Sequence, residues 1–414
     1  MSRPEVDTDV DEFRARSRAW LESTGLDRRD GRCDGRHDVV SVFHDLPHDE
    51  ELALLERLCA WQRTKHDAGF AAITWPAPYG PGLSPAHEEA FVSEELAWAT
   101  PGAHELLTVT LNLVAPTLRE LASHDLCAEL VGPFLRGDQL ACQLFSEPGA
   151  GSDLANVSTR AVRDGDDWIV TGQKVWSSGA QFAGWGELIA RTDPAAPKHS
   201  GLTAFMVPLD SPGIDVRPLR QMSGGQSFNE VFLDSVRIPD RYRIGEVGQG
   251  WKVALTTLGF ERGDSANQAL VGGDWRRAFA VAQRTGADRD PLVRQLMAET
   301  YVAWRLGAVA SARDEKDEAE GRASGAIGSV RKLQWLHRMQ SVSDLTREAL
   351  GADLAVDSGA PDAFEWTQQL LGVPGYRIAG GSDQIQKNII GERLLGLPAE
   401  PRTDRDKPWR ETRR

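Results

Sequence analysis

The sequence predicts an α+β fold in three parts: an N-terminal helical domain over 1–138, a middle β domain over 139–243 and a C-terminal helical bundle over 244–400, then a charged tail over 401–414. Three observations predict it. Apolar residues recur at helical steps up to about residue 125, at two-residue steps from about 140 to 240, and at helical steps again from Gly245. A chain of 414 residues is also too long for one ordinary core.

In the first part, "DEELALLERLCAWQRTKHDAG" carries Leu54, Leu55, Leu58 and Trp61 on one helix face. "WPAPYGPGLSP" at 75–85 breaks structure with its prolines and glycines, and "AHEEAFVSEELAWAT" then reads as a further amphipathic helix. "ELLTVTLNLVAPTLREL" is more apolar and is expected to be central. In the middle part, "STRAVRDGDDWIVTGQKVW" alternates on both sides of Asp164-Gly165, a hairpin turn pair. "GELIARTD", "LTAFMVPLD", "IDVRPLRQM" and "NEVFLDSVRIP" follow as short strands. In the last part, "GWKVALTTLGFERGDSANQALVGGDWRRAFAVAQR" and "PLVRQLMAETYVAWRLGAVASARDEKDE" read as long bundle helices. The tail "PRTDRDKPWRETRR" is expected not to pack.

Composition narrows the function. A net charge of −14 argues against a nucleic-acid partner, which needs a cationic face. It leaves room for a small anionic ligand, because a few local arginines can override a global sign. No apolar run approaches the ~18 residues of a membrane span. The start is acidic and polar, unlike a secretory signal, so a cytoplasmic protein is expected. Cys33, Cys59, Cys127 and Cys142 form no CxxC pair and read as free thiols. The histidines form no HExxH set, and no metal site is expected.

Two motifs carry chemistry. "LACQLFSEPGAGSD", 140–153, runs from an apolar strand into a small-residue turn that another molecule can approach closely, with the Ser146 and Ser152 hydroxyls beside it. It lacks the lysine of a phosphate loop. "GQKVWSSGA", 172–180, places a tryptophan and a hydroxyl two residues apart in a predicted strand, which suits a flat heteroaromatic ring.

Together with "WPAPYGPGLSPAHEEAFVSEEL" and "IAGGSDQIQKNIIGERLLG", these motifs make residues 10–398 resemble the acyl-CoA dehydrogenase family. The resemblance implies an N-terminal helical domain, a middle β-barrel and a C-terminal four-helix bundle. It also implies FAD as cofactor and α,β-dehydrogenation of an acyl-CoA thioester to a trans-2-enoyl-CoA, with electrons passing to an electron-transfer flavoprotein. By position, Gln143, Phe145 and Ser146 resemble residues lining the flavin ring, and Trp176 and Ser178 the stacking aromatic and the hydroxyl near N5. Ser382 and Gln384 resemble late contacts to the flavin nucleotide, Ser152 a contact to the CoA arm, and Arg262 a residue near CoA.

The general base departs from the commonest pattern. Where many members of the family carry a glutamate before "QIQ", this sequence has Gly380, which cannot take a proton. Asp383, three residues on, reads as a capping aspartate. A minority, resembling isovaleryl-CoA and long-chain dehydrogenases, places the base on a helix early in the last domain, and Glu261 falls there. Its neighbours Leu255, Leu258 and Phe260 give a carboxylate reason to be perturbed. The alternative for Glu261 and Arg262 is a solvated pair on a helix exterior. The family's "R-x-x-F-G" stretch is replaced by "AQRTGADRDPLVRQ", where Arg284 is the candidate substitute, and its "Q-x-x-GG-G" segment by "QQLLGVPGYRIAGG". Both concern flavin contacts across subunits, so the resemblance implies either a homodimer or homotetramer, or a heterotetramer with a homologue. Two other functions stay open: a non-catalytic partner subunit, and an oxidase or monooxygenase on the same fold. A branched or steroid-derived acyl group is expected from the glycine at 380 and the helix-borne base.

Overall fold

The computed structural model of the chain describes residues 9–29, 40, 42–43, 46–263, 272–321, 326–358, 364–402 and 404–412, with the backbone alone at 261–263, 315, 318 and 319. Among the described residues, six α-helices come first: α1 (Val10–Ser23), α2 (His48–Asp67), α3 (Pro85–Glu95), α4 (Glu105–Thr108), α5 (Ala115–Leu121) and α6 (His124–Arg136). The apolar run expected to be central is central. A π-helical turn, Val109–Val114, joins α4 to α5, and Val109, Thr110, Leu113 and Val114 in it are buried. The widened turn aims Thr110 at the first strand: its hydroxyl accepts from Ala141 N at 2.9 Å and donates to Leu106 O at 2.8 Å.

The period-two region forms β1 (Ala141–Leu144), β2 (Arg160–Asp164), β3 (Asp167–Lys174), β4 (Trp185–Arg191), β5 (Leu202–Pro208), β6 (Ile214–Leu219), β7 (Phe228–Pro239) and β8 (Arg243–Ile244). The strand order is β6-β7-β3-β2-β4-β5-β8, and β1 adds to β4 in parallel. The expected hairpin is present, with Asp164 paired to Asp167 across a Gly165-Asp166 turn that needs the positive φ (62°) of glycine. β4 and β5 are buried along almost their whole length, because helices cover the sheet here. α7 (Gly250–Gly263) packs across both, and glycine at 250 lets it start this close to β5, where a Cβ would lie only 2.6 Å from Thr203 N. One apolar core therefore runs without a break from Leu106 and Phe134 through Leu188 and Phe205 to Val253 and Ala254.

The last part is built around α10 (Ile327–Leu350), on which α8 (Trp275–Thr285), α9 (Pro291–Ala319), α11 (Glu365–Tyr376) and α12 (Asp383–Arg393) pack. Among the described residues, the helical stretch expected over 250–284 is interrupted before Trp275. Gly272 and Gly273 have φ of 97° and 83°, which ends any helix, and Asp274 caps the new start by accepting from Arg276 N at 2.7 Å.

The tail is a second correction. It folds back on the β domain through the short helix α13 (Trp409–Thr412), whose Trp409 is buried. The charged composition of 401–414 hid this, because a single tryptophan supplies the anchor.

Candidate active site

A buried ion pair organises the site. Lys174 ends β3 on its inward face, continuing the spacing of Trp168 and Val170, and its side chain is fully buried. Its ammonium donates to three acceptors: Phe145 O at 3.0 Å, Glu147 Oε1 at 2.9 Å and Ile189 O at 2.8 Å. Glu147 in turn accepts from Ser158 N at 2.7 Å, Ser158 Oγ at 2.9 Å and Thr159 N at 2.8 Å. Burial alone would raise the Glu147 carboxyl, but Lys174 and these donors hold it down at about 2. The pair ties the exit of β1 to the exit of β3.

The two sequence motifs consequently lie side by side. Val175 N donates to Ser146 O at 2.9 Å. The turn after β3 is then pinned to the start of β7 and the residue before it: Ser177 and Asn229 exchange both backbone bonds at 3.1 Å, and Gly179 N donates to Ser227 O at 2.9 Å. Between these anchors stands Trp176, with φ 62° and 60% of the residue exposed. It is in a left-handed turn rather than in the strand the sequence predicts, because β3 ends at Lys174. Ser178 Oγ donates to Glu105 Oε1 at 3.0 Å, which joins this turn to α4.

Gln143 lies on β1, and its buried Nε2 has no hydrogen-bond partner among the described residues. Phe145 is buried, while Ser146 is partly exposed and Ser152 is exposed. Ser382 caps α12, its hydroxyl accepting from Ile385 N at 3.4 Å, and Gln384 is exposed beside it. Asp383 is occupied in a salt bridge with Arg377 at 2.8 Å. Gly380 and Gly381 have φ of 61° and 90°, and Gln386 Nε2 donates to their carbonyls at 2.9 and 3.2 Å. Arg284 is in the last turn of α8. Glu261 and Arg262 are within the helical span of α7, but their side chains lie outside the described residues.

A row of rings connects the late segment to the early ones. Trp176 meets Phe228 at 5.9 Å, Phe228 meets Phe43 at 5.1 Å, Phe43 stacks on Tyr376 at 5.0 Å, and Tyr376 meets Trp335 at 4.8 Å. Tyr376 opens the "YRIAGGS" stretch, so this stretch reaches the Trp176 turn through packed aromatics. Sequence reasoning missed Phe43 and Phe228, which belong to no motif.

It also missed Glu187. This β4 residue is directly opposite Gln143 in the β1–β4 register and is fully buried. Thr257 of α7 donates to its Oε1 at 2.7 Å, and Thr117 of α5 donates to Thr257 Oγ1 at 3.1 Å. Burial pushes the Glu187 carboxyl up to about 8, and the Thr257 bond offsets this only in part. The signal was a lone carboxylate inside the apolar run "WGELIA".

The exposed indole on a fixed turn, the unpaired Gln143 amide beneath it in sequence, and the free side of Ser146 fit the flat, hydrogen-bonding ring of a flavin. The comparisons make this specific. The family descriptions "Acyl-CoA dehydrogenase, middle domain" and "Acyl-CoA dehydrogenase, C-terminal domain" match residues 142–236 and 248–395. The chain belongs to the acyl-CoA dehydrogenase family of FAD-dependent oxidoreductases. It is 35% identical over 401 residues to acyl-CoA dehydrogenase IpdE1 of Mycobacterium tuberculosis, covering 95% of this chain and 99% of that relative. It is 41% identical over 335 residues to acyl-CoA dehydrogenase FadE34 of the same organism, covering 80% of this chain but only 45% of that longer protein. Among solved structures, the Tcur3481-Tcur3483 steroid ACAD is similar with a TM-score of 0.74 and 26% identity, over 96% of this chain and 99% of that one.

The state of Glu187 is testable through stability. The folded protein holds its proton up to about 8, whereas an ordinary carboxyl releases it near 4.5. Folding therefore loses stability as pH rises between those values. Glu187→Gln keeps an acceptor for Thr257 and has no proton to lose. Its melting temperature relative to the parent should rise progressively from about pH 4.5 to about pH 8. A difference that stays flat across that range would contradict a buried neutral carboxyl.

Proposed function

We propose that the chain catalyses α,β-dehydrogenation of an acyl-CoA thioester, with Glu261 as the base that takes the α-proton. Bound FAD supplies the hydride acceptor for the β-hydrogen. Gln143, Phe145, Ser146, Trp176 and Ser178 would seat the flavin ring, Ser382 and Gln384 its nucleotide, and Ser152 and Arg262 the CoA arm. The observation that carries the reading is the rigid, outward-facing Trp176 on a turn joined to the Ser146 loop. Glu261 is favoured as base by three further points. Gly380 has no acidic side chain, and Asp383 is already paired with Arg377. Val253, Ala254 and Thr257 form the buried stripe of α7, and position 261 continues it one turn beyond Thr257. A base near apolar surroundings holds its proton affinity closer to what carbon acids demand.

Glu261→Gln should retain FAD in the purified protein but reduce the rate at which acyl-CoA bleaches the visible flavin band by about 10²–10⁴-fold. Parent-like bleaching would remove Glu261 from this role.

The acyl group we favour is bulky, branched or steroid-derived. The Tcur3481-Tcur3483 structure, named a steroid ACAD, is 26% identical to this chain. The electron acceptor we favour is an electron-transfer flavoprotein.

A heteromeric assembly is supported by a separate observation. α9 exposes Val302, Leu306 and Val309 at four- and three-residue steps, the last two each 62% exposed. The similar Tcur structure carries two chain names. With a homologous subunit covering α9, Leu306→Glu should shift the assembled protein to smaller species in sedimentation, with loss of flavin per chain. A parent-like oligomer in that variant would place the subunit interface elsewhere.

A further inference from the structure

The segment 404–412 joins the turn that follows the GAGSD motif at several points. Trp409 Nε1 donates to Asn156 Oδ1 at 2.8 Å, and Asn156 closes the 3₁₀ turn Leu154–Asn156 directly after Ser152-Asp153. The Trp409 ring lies under the Arg191 guanidinium, 4.6 Å from its centroid. That guanidinium donates to Ala155 O at 2.6 Å, Val157 O at 3.2 Å and Lys198 O at 2.7 Å, so it braces the same turn from beneath. Lys198 completes the link: its ammonium pairs with Asp153 at 3.0 Å and with Asp404 at 3.0 Å. The backbone is committed too, with Trp409 N donating to Ala196 O at 2.9 Å and Arg410 N to Pro194 O at 3.1 Å.

We infer that segment 404–412 is a latch that fixes the 152–157 turn, and through it the Ser152 side of the acyl-CoA site, with Trp409 and Asp404 as positioning residues. The inference deepens the acyl-CoA reading and rests on it for the identity of the ligand. Its physical basis is separate. Ser152 itself is exposed and lies in a small-residue turn with little packing of its own. An exposed turn holds a ligand-binding hydroxyl in one place only if something anchors it, and preorganisation of that kind lowers the ordering cost on binding. Here the anchors are one buried ring under one arginine, and one lysine shared between two carboxylates. A cation–π contact that is partly desolvated is worth enough for its loss to be measurable. The latch acts on the CoA arm and not on the flavin side, because the turn at Trp176 takes part in none of these contacts.

The test compares the full-length holoenzyme with Trp409→Ala, Trp409→Phe and Asp404→Ala. Amide hydrogen exchange reads the order of residues 152–158 without reference to catalysis. Steady-state kinetics use two substrates with the same acyl group: the CoA thioester and the N-acetylcysteamine thioester, which lacks the nucleotide arm. Trp409→Ala should lose protection at 152–158 and raise KM for the CoA thioester by about tenfold, with kcat unchanged. KM for the short thioester should not move. Trp409→Phe should recover most of the effect, because a ring returns under Arg191, and Asp404→Ala should show a smaller change in the same direction. Parent-like protection together with parent-like KM would overturn the inference. So would an equal loss on both thioesters, which would mean general damage to the fold. If the parent protein turns over neither thioester, the acyl-CoA reading itself fails, and the exchange data still decide whether the segment orders the turn.

Discussion

Lys174 and Glu147 form the interaction on which the site depends. Burying an ammonium and a carboxylate costs several kcal/mol each unless the remaining donors and acceptors are satisfied. Here they are satisfied mostly by backbone groups around the two motifs: Phe145 O and, on β4, Ile189 O on one side, Ser158 N and Thr159 N on the other. The charge pair cannot relax without moving those backbone segments. Its position thus fixes where Ser146 leaves β1 and where Trp176 leaves β3, which are the two edges of the proposed ring seat.

A second polar line crosses the apolar core from the helical part to the sheet and on to α7. Thr117, Thr257 and Glu187 come from α5, α7 and β4, and each is buried. A neutral carboxyl at the end of this line hydrogen-bonds without the desolvation cost of a charge. It sets the rotation of α7 against the sheet, because only one helix face presents Thr257 to Glu187. The proposed base is one helical turn further along that face, so the same contact that joins three parts of the chain also aims the helix that would carry the chemistry.

Much of this was legible in the sequence. The three-part order followed from the change of hydrophobic period, and the motifs around Gln143, Trp176 and Ser382 identified the family. What escaped had particular physical reasons. Two adjacent glycines at positive φ, Gly272 and Gly273, interrupt a stretch whose apolar spacing continues past them. Trp176 looked like a strand residue because the alternation of β3 runs up to it, and the turn is held by bonds to distant residues, Ser177 to Asn229 and Gly179 to Ser227. The tail appeared too charged to pack, yet one indole found a cationic partner in Arg191. Glu187 and the rings of Phe43 and Phe228 belong to no motif, and their meaning depends on neighbours distant in sequence. The role proposed for Glu261 rests on family position and helical spacing together.

The most direct test of this account is the flavin content of Lys174→Met, measured per folded chain on the assembly that carries flavin in the parent protein. Removing one member leaves Glu147 buried without its cation, at a cost of about 3–5 kcal/mol. The account predicts a protein that keeps its far-ultraviolet circular dichroism in the cold, melts earlier, and holds well under half the parent's flavin. Parent-level flavin in a folded Lys174→Met protein would contradict it, because the loops on either side of Trp176 would then be held by something other than this pair.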